Sequence, residues 1–514
     1  MKSLLRILLI SVVAGVAAAR ASTLDTIGVT LLRATTTNLN GAGVQVGQPE
    51  AGDGAAANWE VNPGAVGQPT SLFTYTSSLG TATTFPNAVG AESGHADSVA
   101  ANYYGIANGV ATNIVHADNY EANYFINHYI GLGLPISERI VNQSFTFGVY
   151  DTNDDQLYDN YAAQNNVLFL SGVAGPPIFS PATCYNGIGV GSFSSPGGPT
   201  TDGRSKPDII APGFAETSYT TPQVAGAGAI LMQAGTRGDG GSDTNSATDI
   251  RTVKALLLNG AIKPAGWTNS TSSPLDARYG AGVLNVFNSY KQLAGGKRTN
   301  FVATTVSTGA AHPPITVTNS ISALSGWDFE TITSVLHPSA LDAVNHYFFN
   351  VTNAMGNATF TATITLAWNR PSNPTPIAPK NLDLFFYDAA NSNLVMCSTS
   401  LVDNVEHIFL PKLAPGRYDV QVWKGGGVGN NGSETYALAW EFFSSSLNTA
   451  KSGTNLNLSW PVYPDGFVVE STTNLLSPQI WSTNNIPSPV FTNNQNVIPV
   501  NAPNAARFFR LRRP

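Results

Sequence analysis

Ser218 stands in the stretch Glu216-Thr217-Ser218-Tyr219-Thr220-Thr221-Pro222, just ahead of the small-residue run Val224-Ala225-Gly226-Ala227-Gly228-Ala229. A hydroxyl at the mouth of a helix meets backbone N–H groups that lack intrahelical partners, together with the positive end of the helix dipole. Both favour a developing oxyanion. This is one way to build an acylating serine. The Ala/Gly run lacks the bulk of an ordinary core helix and predicts a path through a crowded interior with backbones in close approach. Pro222 is expected in the first helical turn, where its missing N–H costs nothing. The competing reading of the same residues is a buried Ala-rich helix with a Ser/Thr cap.

Two upstream segments supply partners for such a serine. Glu92-Ser93-Gly94-His95-Ala96-Asp97-Ser98 puts an imidazole at the start of a second helix, and Gly43-Val44-Gln45-Val46-Gly47-Gln48-Pro49-Glu50-Ala51-Gly52 reads as a strand ending in a carboxylate and a glycine turn. The chain order is acid, histidine, serine. In this the chain resembles the subtilases, the subtilisin-like serine peptidases, whose order is Asp, His, Ser. Further stretches extend the resemblance across residues 25 to 295: Asn142-Gln143-Ser144, Lys206-Pro207-Asp208-Ile209-Ile210-Ala211-Pro212-Gly213, and Tyr279-Gly280-Ala281-Gly282-Val283-Leu284-Asn285. It implies an α/β fold with a mostly parallel sheet flanked by helices, and a catalytic set of Glu50, His95 and Ser218.

The departures from the family pattern carry their own expectations. Glu50 takes the place of an aspartate, and its extra methylene requires the strand end or the histidine to shift; Asp53 and Asp97 are alternative acids outside the motif register. In Val167-Leu168-Phe169-Leu170-Ser171-Gly172-Val173-Ala174-Gly175, Ala174 or Gly175 falls where the family carries an asparagine that donates to the oxyanion. Loss of one such donor costs about a hundred- to a thousand-fold in turnover. Two readings follow: a peptidase working through backbone N–H groups, or an impaired scaffold that binds or supports a surface. The loop before the nucleophile is shortened to Phe214-Ala215-Glu216.

The remaining candidates have structural readings. His116 and His128 are expected to be structural histidines, and Asp151-Thr152-Asn153-Asp154-Asp155 a helix-capping cluster; it lacks the glycine and terminal glutamate of an EF-hand loop. No cofactor is identified. Subtilases often bind structural calcium, but no ligand set for it is recognisable here.

The elements that must position these residues occupy only part of the chain. With 514 residues there is room for about three domains. Met1 to Ala21 has the charged start, apolar stretch and Ala19-Arg20-Ala21 site of a secretory leader, so the mature chain is expected to begin at Ser22 in a secreted or extracytoplasmic protein. The short stretch from Ser22 to the Glu50 strand leaves no room for a folded inhibitory prodomain. Residues 22–297 form the expected peptidase domain. From 298 to 446, short aromatic and β-branched strands alternate with polar turns, the pattern of an antiparallel sandwich, similar to the modules appended to bacterial secreted peptidases. Residues 447–514 read as a small terminal β-module. Each β-segment has its own apolar alternation, so a chain ending near residue 297 is expected to stay folded.

Composition narrows the partners. Charged residues make up 11% of the chain and the net charge is -7, which gives no basic footprint for nucleic acid. No segment after the leader reaches the roughly twenty unbroken apolar residues of a membrane span. A protein or peptide substrate is the expected partner, with the C-terminal modules open to a surface or a protein. Cys184 and Cys397, the two cysteines, are expected to be buried free thiols.

Overall fold

The computed structural model describes residues 22–36, 38–352, 359–443, 447–452, 455–461, 467–476, 479–492, 495–501 and 506–512. The leader reading for residues 1–21 falls outside them. An eight-stranded sheet organises the N-terminal part. Its strands are β1 (Gln45–Glu50), β2 (Phe73–Ser77), β3 (Gly80–Ala82), β4 (His116–Glu121), β5 (Ile140–Gln143), β6 (Leu168–Gly172), β7 (Ile188–Gly191) and β8 (Ile209–Ile210). In space they run β8-β7-β6-β5-β1-β4-β2-β3, with every pairing parallel except the β2–β3 hairpin. Strands β5, β6 and β7 are buried along their whole length, as a parallel sheet covered on both faces demands. This is the mostly parallel, helix-flanked sheet that the resemblance implies. β1 is the strand whose sequence fits least: it buries Gln48 and Glu50 completely and contains Pro49. The proline is tolerated because β1 pairs with β5 only at Val46 and Gly47, so the end of β1 has one strand neighbour and behaves as an edge.

Five helices matter for the site and its surroundings: α1 (Gly94–Tyr103), α2 (Thr152–Asn165), α3 (Thr217–Arg237), α4 (Ile250–Asn259) and α5 (Val286–Ala294). α3 is the central one, buried from Thr220 to Gly235. Its small residues do what the sequence predicts. A Cβ on Gly226 would lie 2.5 Å from Cβ of Val110, and one on Gly228 would lie 3.1 Å from Cδ1 of Ile140. Glycine at these positions lets the chain beyond α1 and strand β5 close on α3. The position of Pro222 differs from expectation. α3 starts at Thr217, so Pro222 falls in the second turn, where its missing N–H leaves the carbonyl of Ser218 without its helical donor.

Two antiparallel sheets follow. One runs β9 (Val302–Ser307), β11 (Leu341–Val351), β16 (Gly416–Lys424), β13 (Asp383–Asp388), β14 (Asn393–Ser398); the other runs β10 (Ser325–Ser334), β17 (Gly432–Phe443), β12 (Phe360–Trp368), β15 (Val405–Leu413). Tyr347, Phe349, Phe386 and Val420 of the first share one apolar core with Ile364, Leu366, Leu438 and Trp440 of the second. The rings of Phe349 and Trp440 meet edge to face at 5.3 Å. The four-stranded sheet turns its other face to α4 and α5. Trp327, Ala367, Val405, Ala437 and Ala439 belong to the core of the N-terminal part. Asn259 Oδ1 accepts from Thr363 and Thr365, each at 2.9 Å, and buried Glu441 takes Lys291 at 2.6 Å. These contacts weigh against the expectation that a chain ending near residue 297 stands alone, because α4 and α5 are covered by the sheet that such a chain lacks.

The last strands, β18 (Asn448–Ser452), β19 (Asn455–Pro461), β20 (Val468–Thr472), β21 (Val490–Thr492), β22 (Gln495–Asn501) and β23 (Phe508–Arg512), form a four-stranded and a two-stranded antiparallel sheet. They enclose a separate small core of Leu458, Trp460, Val469, Ile498 and Val500. Cys184 and Cys397 are free, the first buried and the second partly exposed rather than buried. Among the described residues, no helix is long and apolar enough to cross a membrane.

Candidate active site

The carboxyl ends of the parallel strands gather the candidate residues, where open α/β sheets generally hold their ligands. Glu50 is the last residue of β1. His95 is the second residue of α1, whose N-cap Ser93 accepts a hydrogen bond from the Ala96 amide at 3.1 Å. Nδ1 of His95 lies 3.0 Å from Oε2 of Glu50, with the carboxylate buried and the imidazole partly open to solvent. The longer acid thus reaches the ring.

Burial pushes the Glu50 carboxyl up, against the hydrogen bonds from His95 and Gln48 that favour its charged form. The hydrogen bond to Glu50 raises His95 above the ordinary imidazole value of 6.5; burial opposes this, and the charges of Glu50, Asp53 and Glu216 add to it. Asp53 acts only through its charge. Asp97 is engaged elsewhere, accepting from the Asn62 amide at 2.6 Å, and burial pushes its carboxyl up to about 6.

Ser218 is the second residue of α3 and half-buried. Its Oγ donates to the Ser144 carbonyl at 3.5 Å, while Ser144 Oγ donates to the Ser218 carbonyl at 2.9 Å. Ser144 follows β5 directly, so this strand end clamps the first turn of α3. The ring of Tyr219, next in the chain, lies 6.0 Å from that of His95, which places the two helix starts side by side. Among the described residues, no hydrogen bond joins His95 to Ser218; an unliganded site commonly has such contacts open.

The end of β6 sits beneath the nucleophile helix. Thr217 Oγ1 donates to the Val173 carbonyl at 3.0 Å, and a Cβ on Gly172 would come within 3.1 Å of that hydroxyl. Val173 thus meets the first residue of α3 through its backbone carbonyl. Its side chain is buried with Ile178 and Ala182 and has nothing to donate.

His95 and Ser218 fall within the stretch 93–282, which matches the model of the subtilase family. That stretch is similar to the subtilases. The subtilases are serine peptidases, and the match begins after Glu50, the residue at which the chain departs from the family's aspartate. Solved structures similar to the chain include the prenylagaramide maturation protease PagA, at 18% identity over 52% of this chain and 99% of that one with a TM-score of 0.36. A lanthipeptide protease (13% identity, 53% and 94% covered, TM-score 0.38) and the PatG macrocyclase in complex with peptide (15%, 54% and 99%, 0.39) are also similar. No curated protein matches the chain.

The other candidates from the N-terminal part lie away from this end of the sheet. His116 opens β4 opposite Gln45, while Glu50 pairs with Glu121 at the other end, about 16 Å along the strand. His128 stacks on Tyr124 at 4.6 Å. Asp151 caps α2, accepting from the amides of Asn153 and Asp154. Among the described residues, no group of three or more His, Cys, Asp or Glu is arranged to hold a metal. Gln48 and Tyr104, which turn out to contact the acid and its neighbour, carry no sequence motif. Their only signal is a polar residue on the inward face of a buried strand.

Proposed function

We propose that the protein is a secreted serine endopeptidase in which Ser218 attacks the scissile carbonyl, His95 takes its proton and returns it to the leaving amine, and Glu50 holds the imidazole and supports its charge. Water activated by the same histidine then hydrolyses the acyl-enzyme. The observation that carries this reading is the 3.0 Å contact of Glu50 with His95 at the sheet end that also receives Ser218. The substrate is a protein or peptide. Residues 1–21 act as a secretory leader, residues 298–446 form a β-sandwich module and residues 447–514 a small terminal module, each available to a surface or protein partner.

The second reading, a subtilase scaffold without turnover, is favoured by one feature: Ala174 or Gly175 falls where the subtilases carry the asparagine that donates to the oxyanion. Covalent labelling with a fluorophosphonate separates the two. The peptidase reading expects labelling of the folded protein at neutral to mildly alkaline pH, abolished in Ser218→Ala. A folded wild-type protein that stays unlabelled leaves the scaffold reading standing. Secretion is tested by sequencing the exported chain, whose first residue is expected to be Ser22.

A further inference from the structure

Gln48 precedes Glu50 by two residues on β1, so strand alternation sends both side chains to the same face. Both are fully buried. Gln48 Nε2 donates to Oε1 of Glu50 at 2.9 Å and to the Ala96 carbonyl at 3.0 Å, and the Tyr104 hydroxyl donates to Gln48 Oε1 at 2.6 Å. These partners allow one orientation of the amide, because turning it over would set its oxygen against a carboxylate and a carbonyl. The backbone carbonyl of Gln48 is held in turn by Nδ2 of Asn119 at 2.9 Å. Burial keeps the Tyr104 phenol well above its ordinary value, so it remains a donor throughout the working pH range.

We propose that Gln48 and Tyr104 are positioning residues for the Glu50–His95 pair, holding the carboxylate oxygen that the histidine does not use and tying the strand of Glu50 to the helix of His95. The inference rests on the peptidase reading of this site. Its physical basis is the extra methylene of glutamate. A longer acid has one more torsion to fix, and a buried carboxylate with an oxygen left unpaired carries a desolvation penalty. Gln48 removes both problems with one hydrogen bond. With the other it holds the carbonyl of the residue that follows His95. The remaining charges that face the pair, Asp53 and Glu216, are exposed and contact neither Gln48 nor Tyr104.

The test measures the rate of fluorophosphonate labelling of Ser218 against pH in the full chain, for wild type, Gln48→Met and Tyr104→Phe, each with and without Glu50→Gln. Gln48→Met is expected to slow labelling by about tenfold or more, the size of a lost hydrogen bond to a buried charge, and to move the acid limb of the profile to higher pH because the Glu50 anion is less supported. Tyr104→Phe, which keeps the ring packing, is expected to give a smaller change in the same direction. Neither is expected to slow the Glu50→Gln protein further. Equal losses in both backgrounds, or unchanged profiles, would overturn the proposal. If the wild type does not label, the peptidase reading fails by itself. The proposal is then decided by the ring-proton resonance of His95 Nδ1–H, expected to shift or vanish in Gln48→Met and overturned if it stays in place.

Discussion

The Ser144 hydroxyl donates at 2.9 Å to the Ser218 carbonyl, the group that Pro222 deprives of its helical N–H. One side chain from the end of β5 thereby repairs the turn that carries the nucleophile. Ser144→Ala is expected to cost about 0.5–1.5 kcal/mol of stability, the net worth of a partly buried hydrogen bond, and to slow labelling of Ser218. Pro222→Ala restores an N–H in the helix and is expected to recover most of both losses. Denaturant unfolding and labelling rates of the two single variants and the double variant check this.

His95 must be neutral to take a proton, and Glu50 raises it above the ordinary value of 6.5. The labelling rate is therefore expected to rise with pH through a midpoint above that value. Glu50→Gln removes the anion that favours the imidazolium, so the midpoint is expected to fall while the plateau rate drops. A rate–pH profile of both proteins reads the two effects separately.

At the opposite end of the sheet, burial and the charge of Asp118 push the Glu138 carboxyl from 4.5 up to about 7. Tyr120 donates to its Oε1, and Gln45 to Asp118; His116 faces Asp118 at 3.5 Å. Between these two pH values the folded state binds more protons than the unfolded one, so stability is full below about 4.5 and is lost as pH rises towards 7. Glu138→Gln is expected to flatten that slope. Thermal unfolding followed at a series of pH values checks it.

A chain ending near residue 297 is expected to aggregate, because it uncovers α4 and α5 where Thr363, Thr365, Trp327 and Glu441 now make their contacts. A chain ending before residue 447 is expected to remain folded and free of aggregation, since the last strands keep a core of their own. Size exclusion and circular dichroism of the two truncations distinguish these outcomes.

The candidate site was legible in the sequence as far as local rules reach. A serine at the start of a small-residue helix, a histidine just behind a Ser cap, and an acid closing a buried strand each signal themselves within a few residues. Alternating apolar strands likewise announced the antiparallel sheets. The hydrogen bond between Glu50 and His95 joins two such local signals. What the tertiary structure alone decided is how they are held. Gln48 meets Tyr104 across 56 residues and Ser144 meets Ser218 across 74. The cover over α4 includes Thr363 and Thr365, more than a hundred residues away in the chain. Such contacts are set by which buried polar groups find partners when the elements pack. A polar residue inside a strand shows only that a partner is needed, and the folded chain determines which one supplies it.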